Sequence, residues 1–479
     1  MNHIKNLLLS FGLFTATGGS AQYASGDNTS AAEFDAILKT ADRASRDFMN
    51  LPSSFSLKQY APVPQNQGQL GTCVAWSGAY AARTISYGIQ REMLHADSIK
   101  KYAFSAGYLY YKIKEPGDTG CMKGATILNA MKVMTANGAM LKKEGPGDCA
   151  TLIPDSAEQQ KASPYKIKDF LAINKTFDSI TKNDIIKIKK SLTEKKPVLI
   201  SLKIYESFEK VGSTGIWSPP ADDVKLPTSH AMCITGYDDK IAGGAFEVMN
   251  SWGTKWGNKG YCWLSYKQVM KEGIYAIELM DFEPGKTILS GSMDFIKLNS
   301  SGADIPLTVA RKKITVGNMV VPVKEKADYS LYQLTQTLKT GDQFKMKFST
   351  NSKSYIYVFA EDNKKVISPL FPPDPSISAA INSINATYYF PSDTTHARLD
   401  NTIGKENFCI LYSKSEIDFN GLINYINESH VSIFQGVKDK LSARLLDLKR
   451  VKFRDDKIFF QAPADDKSVL CFFVEMKHN

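Results

Sequence analysis

Two stretches far apart in this chain carry side chains that make chemical sense only together, and that demand constrains the fold more than any composition does. The first is Pro64-Gln65-Asn66-Gln67-Gly68-Gln69-Leu70-Gly71-Thr72-Cys73-Val74-Ala75-Trp76; the second holds Ser229-His230-Ala231 and then Asn250-Ser251-Trp252-Gly253. A thiol is a strong nucleophile only as its thiolate, and a neighbouring imidazolium both lowers its pKa and keeps the proton for a leaving amine. Cys73 and His230 fit those two roles. The imidazole must also be held in one tautomer, which a side-chain amide oxygen does by accepting from the second ring nitrogen. Asn250 is that orienter. A tetrahedral intermediate needs donors aimed at its oxyanion, each contributing roughly 2.7–4 kcal/mol. The side-chain amide of Gln67 and the backbone N–H of Cys73 form such a pair. The fold therefore has to bring Gln67, Cys73, His230 and Asn250 together.

These blocks resemble the papain family of cysteine peptidases. Gln67-Gly68 to Gly71-Thr72-Cys73 is similar to the family's nucleophile segment, Asn250-Ser251-Trp252-Gly253 with Trp256-Gly257 and Gly260-Tyr261 to its Asn-Ser-Trp-Gly block, and His230-Ala231 with Ile234-Thr235-Gly236-Tyr237 to the strand from its histidine. The resemblance covers about Leu51 to Met280. It implies an α+β fold with a papain-like two-lobed catalytic domain, one lobe helical and one β-barrel-like, and hydrolysis of peptide bonds in protein or peptide substrates through an acyl-enzyme without a cofactor. It also implies that Trp252 shields the imidazole–amide bond, and that Gly124, in Gly120-Cys121-Met122-Lys123-Gly124, pairs with substrate backbone.

The pattern departs from the family's at several places. Val74 replaces the aromatic residue that usually follows the nucleophile, and Leu70 stands where a cysteine usually anchors a disulfide. Met122 and Lys123 replace a small polar residue and a glycine, so the substrate groove is expected to differ. Each residue also has a plainer reading. An isolated cysteine is more often a small buried hydrophobe, and an isolated Asn-Ser-Trp is an ordinary turn and core aromatic. Between Leu51 and Met280 the other histidine is His95, in the polar run Gln90 to Asp97 that reads as a solvated helix end, so His230 is the base.

Within this region, Cys73 to about Gln90 reads as a buried helix whose positive end lies at the thiol, and Ala125 to Met134 as a second helix of the same lobe. Asp184 to Leu192 reads as a helix leading into the strand Pro197 to Leu202, with further strands at Phe246 to Met249 and Tyr261 to Leu264.

At 479 residues the chain requires two or three units. Met1 to Ala21 reads as a cleaved secretory signal, with Lys5 ahead of the apolar run Leu7 to Phe14 and small residues at Gly19-Ser20-Ala21. A secreted or periplasmic protein of bacterial type is expected, with cleavage near Ala21 and no stable membrane insertion. Residues 22–50, with Phe34, Ile37, Leu38, Ala41 and Phe48 at roughly helical spacing, read as a short helical arm or propeptide, and 51–284 as the peptidase domain. Among seven cysteines, Cys121 and Cys149 lie in turn-like contexts and are the expected disulfide. Cys233, Cys262, Cys409 and Cys471 read as buried free thiols, and no Cys/His pair has metal-ligand spacing. The net charge of +10 is spread over scattered lysines, which does not suit nucleic-acid binding.

Beyond Glu283-Pro284-Gly285, residues 285–479 read as a mostly β accessory domain, with half-buried alternation in Phe344 to Phe348 and Tyr355 to Phe359. Leu338 to Pro372 resembles a bacterial β-sandwich module of unknown function, for which binding to a surface or protein partner and a purely structural role are both open. Asn424 to Leu448 interrupts it with a polar helical stretch. Two alternatives to the peptidase remain: a catalytically silent papain fold used for protein binding, and a thiol acyltransferase.

Overall fold

Cys73 opens the helix around which the first half of the molecule is assembled. A computed structural model describes residues 24–145, 149, 156–283, 285, 287–316, 319–322, 330–361 and 365–479; the expected signal segment and its cleavage site lie outside them. The helix runs through Cys73–Ala75, a π-helical stretch Trp76–Arg83, and Thr84–Gln90. Its small residues, Gly78, Ala79, Ala81 and Ala82, let the helices Ala106–Ile113 and Ile127–Ala136 approach closely, with Leu109, Met131 and Met134 against Gly78. Ser105 and Thr126 cap those two helices through their hydroxyls.

The second lobe is a seven-stranded antiparallel sheet. Its strands follow the order Asp169–Ala172, Gly273–Met280, Val198–Tyr205, Lys225–Asp238, Ala245–Met249 and Tyr261–Ser265, with Ser54–Ser56 added on Lys225–Asp238. The register pairs Ser201 with Ala231 and Leu202 with His230. The helix Lys182–Thr193, begun by a Thr181–Asp184 capping box, packs Ile185, Ile188 and Leu192 into the shared core.

The described residues of 287–479 build two further seven-stranded sheets and a two-stranded one, Lys313–Val316 with Met319–Pro322. Phe295, Phe344, Met346 and Phe348 of one interleave with Ile356, Val358, Phe408 and Ile410 of the other, which makes a sandwich. The expected half-burial of Tyr355 to Phe359 is corrected here: every residue of that run is at most 3% exposed. Ile356 and Val358 enter the sandwich core, while Tyr355, Tyr357 and Phe359 pack in a separate cluster with Leu422, Ile426 and Val437. Those come from the helices Phe419–Ser429 and Ile433–Leu441, so the polar stretch of uncertain role is a cover for the outer sheet face.

The arm is mostly extended rather than helical. Among its described residues, helix is confined to Ala31–Asp35 and a 3-10 turn at Ser45–Phe48. The apolar spacing has another cause: Phe34 and Ile37 enter the catalytic core, Ala41 enters the sandwich core, and Leu38 packs against the cluster under the two cover helices. Backbone bonds alternate between the units, with Thr40 N–H donating to Ala172 and Lys39 and Ala44 N–H donating to Ser376 and Thr387. Among the described residues, no helix is long and apolar enough to cross a membrane.

Candidate active site

The loop before the nucleophile is fastened to the Asn250 block strand-fashion. Gln67 N–H donates to the Ser251 carbonyl at 2.8 Å and Gly253 N–H to the Gln65 carbonyl at 3.0 Å, and the Ser251 hydroxyl donates to Gln67 Oε1. Gln67 Nε2 also donates to the Leu70 carbonyl at 2.7 Å, which fixes the amide and leaves its second N–H to donate into the cleft, as an oxyanion site requires. On the opposite wall His230 Nε2 and Asn250 Oδ1 are 2.7 Å apart. An amide oxygen only accepts, so Nε2 carries the proton. Among the described residues Nδ1 has no hydrogen-bond partner and is the nitrogen available to a thiol proton. The Trp252 ring stacks on the imidazole with centroids 4.7 Å apart, Phe208 meets both edge-on, and Trp256 completes the aromatic cover.

Cys73 and His230 are fully buried, and what covers the thiol is the arm. Gly26 closes over it, within reach of the Gly71 carbonyl that a Cβ on Gly26 would strike. The Ala24 carbonyl accepts from Gln67 Nε2 at 3.1 Å and from Trp252 Nε1 at 3.2 Å, so a peptide carbonyl already lies at the expected oxyanion donor. Gly26 O accepts from Ala125 N–H and Asn28 N–H donates to Ala125 O at 2.9 and 3.0 Å, while Asp27 N–H donates to Ser229 O at 3.1 Å. Residues 24–28 therefore lie in the cleft as an extended peptide bonded to both walls.

Electrostatics follow from that closure. Burial, then the nearby carboxylate of Asp27, pushes the Cys73 thiol up to about 12, against the pull of backbone bonds at Ala231, Gly26 and Val74. Burial also lowers His230 to about 4, with the Asn250 bond opposing. Both shifts favour a neutral thiol beside a neutral imidazole, so the covered site rests without its ion pair.

Residues 51–279 match the papain family of cysteine proteases, and 337–416 match a domain of unknown function (DUF4384). The chain carries a papain-family cysteine peptidase domain. Over 232 residues it is 27% identical to an uncharacterized peptidase C1-like protein of Acanthamoeba polyphaga mimivirus, covering 46% of this chain and 71% of that one. It is 26% identical to cathepsin L of Sarcophaga peregrina over 239 residues, 47% of this chain and 62% of the relative. Among solved structures, xylellain, a cysteine protease from Xylella fastidiosa, aligns with a TM-score of 0.45 at 21% identity, over 55% of this chain and 97% of its own.

The peptidase domain brings Gln67, Cys73, His230, Asn250 and Trp252 into one cleft, with Gly124 on its rim. Gly124 has φ +78° and lies under the Gly26 carbonyl, where a Cβ would collide. Its loop is held by Asp118, which accepts from Met122 N–H at 3.1 Å and from the Tyr110 hydroxyl at 2.7 Å. Cys121 and Cys149 are disulfide-bonded, anchoring that loop instead of the missing cysteine at Leu70. His95 precedes the helix Ala96–Lys101 at the exposed surface. Cys233, Cys262, Cys409 and Cys471 are buried free thiols. Three cleft residues went unread in the sequence: Asp27, Ser201 and Tyr275. Ser201 lies inside an apolar strand run and Tyr275 in another, where a hydroxyl amid β-formers signals nothing local.

Proposed function

We propose that this chain is an exported cysteine endopeptidase whose resting form keeps residues 24–28 of its own arm in the cleft. The observation that carries this is a peptide backbone already gripped above Cys73, with Gln67, Trp252 and Ala125 donating to its carbonyls and the Ser229 and Ala125 carbonyls accepting from its N–H groups. Once the arm is displaced, the buried thiol and imidazole are hydrated and the charged pair becomes accessible. His230 takes the Cys73 proton at Nδ1 while Asn250 keeps Nε2–H in place, and the thiolate attacks the scissile carbonyl. The oxyanion accepts from Gln67 Nε2 and Cys73 N–H. The imidazolium then protonates the leaving amine, and water activated by His230 hydrolyses the thioester. The sandwich domain is read as a binding or positioning module, and export as the work of the segment ending near Ala21.

With the arm released by Gly26→Val, whose side chain strikes the Gly71 carbonyl, incubation with a thiol-directed epoxide, followed by mass mapping, tests the site. Label on Cys73 and cleavage of an unfolded protein at mildly acidic to neutral pH, abolished by Cys73→Ala, are the expected results. Undiminished cleavage by Cys73→Ala sinks the reading. N-terminal sequencing of the exported protein tests localisation, with a start near residue 22 expected.

A further inference from the structure

Beside the thiol the cleft has a side-chain recess, and the arm fills it with a carboxylate. Asp27 is 5% exposed. Its Oδ2 accepts from the Ser201 hydroxyl and, at 2.7 Å, from the Tyr275 hydroxyl. Its Oδ1 is satisfied within the arm by Thr29 N–H and Oγ1–H at 3.1 and 2.6 Å. Among the described residues no cation pairs with it. Ser201 and Tyr275 are themselves fully buried, on the neighbouring strands Val198–Tyr205 and Gly273–Met280.

Two convergent hydroxyl donors at the foot of a closed recess recognise a short side chain ending in an sp2 oxygen. An apolar side chain in the same place would remove the Asp27 acceptor from both hydroxyls, leaving Tyr275 only its contact with Thr29, and buried hydroxyls that lose an acceptor are a strong basis for rejecting a ligand. The backbone around Asp27 is gripped by Ser229 and Ala125, groups on the two walls that flank Cys73. An extended substrate bonded to those same groups must send a side chain into the same recess, because strand side chains alternate with a fixed period.

We infer that the recess floored by Ser201 and Tyr275 is a specificity pocket, and that the peptidase acts on peptides carrying aspartate, with asparagine next, at the residue lodged there. The inference rests on the peptidase reading above, with the arm as a mimic of the preferred side chain.

The full-length protein tests it in two ways. First, the rate of Cys73 alkylation by iodoacetamide is compared in wild type, Asp27→Asn and Asp27→Leu. The order expected is wild type slowest, Asn slightly faster and Leu faster than wild type by roughly tenfold or more. A leucine arm that covers Cys73 as well as aspartate overturns the pocket assignment. Second, the Asp27→Leu protein is assayed on peptides varied one position at a time on the acyl side. Aspartate is expected to exceed leucine in kcat/KM by roughly 100-fold at one position. Tyr275→Phe and Ser201→Ala should each reduce the Asp-to-Leu ratio by roughly tenfold, mainly through KM. A leucine or phenylalanine preference, or a ratio indifferent to both substitutions, refutes the inference while leaving the peptidase intact. Cleavage of no peptide, with Cys73 unlabelled by the epoxide, refutes the peptidase reading and this inference with it.

Discussion

Three neighbours set the state of the His230 ring, each in a different way. Asn250 fixes the tautomer, Trp252 stacks on one face, and burial disfavours the charged ring. Asn250→Ala removes the acceptor while leaving the stack, so the ring can rotate or protonate at the wrong nitrogen. We expect kcat to fall by about 10²–10⁴-fold with a smaller change in KM, read by steady-state kinetics on an arm-released protein. An unchanged kcat would remove Asn250 from the mechanism. Gly26 makes the opposite case, because its missing side chain is what lets the arm close. A valine there strikes the Gly71 carbonyl, so Gly26→Val should raise Cys73 alkylation by at least about tenfold, each 1.4 kcal/mol of lost arm binding being a factor of ten. At this scale the sequence was legible where placement is tied to spacing, as for Gln67, Cys73, His230 and Asn250, which meet in the cleft. It was silent where a role arises from segments meeting across space: Asp27 against Ser201 and Tyr275 joins three stretches that share no local pattern.

Elements were legible by the same logic. The long nucleophile helix and the strands after Pro197 were readable because their small or apolar residues recur in unbroken runs. The arm was misread as helical because its apolar residues enter different cores, and their spacing reflects three separate burials along an extended path. The strand Ser354–Glu361 was misread as half-exposed because its second face is hidden by helices about sixty residues later, a long-range contact no alternation reveals. Those helices give an element-scale prediction. Ile426 is 2% exposed and sits beneath Gly436, where a Cβ would meet its side chain. Ile426→Ala should destabilise the sandwich by about 2–5 kcal/mol, measured by denaturant titration. Cys73 alkylation should stay at the wild-type rate, since the arm meets this cluster at Leu38 and not through residues 24–28 that cover the thiol. A rise in alkylation with that variant would mean the cover also holds the arm.

Across the whole molecule, the arm, the peptidase domain and the sandwich meet at one carboxylate. Glu194 pairs with Arg43 of the arm at 2.9 Å, with Lys196 at 2.9 Å and Lys190 at 3.6 Å, and accepts from the Ser383 hydroxyl of the sandwich at 2.7 Å. Burial opposes its charge, but Lys196, Arg43 and Ser383 hold its pKa down to about 2, below the ordinary 4.5. A carboxyl depressed in the folded state stabilises it above the ordinary value and loses that contribution as pH falls from about 4.5 through about 2. Asp27 has the reverse sign: burial raises its pKa, so protonation favours its seat in the cleft and acid does not expel the arm at that end. Acid should therefore loosen the junction at Glu194 before it frees the thiol. The denaturation midpoint of wild type should exceed that of Glu194→Gln by several degrees at pH 7, and the gap should close as pH falls from about 4.5 to about 2. Equal gaps at pH 7 and pH 2.5 would show that Glu194 does not carry the pH-dependent part of the clamp. Cys73 alkylation in the same series separates the two ends of the arm, because a rate that rises in step with the lost midpoint means that the junction, and not the Asp27 recess, sets when the cleft opens.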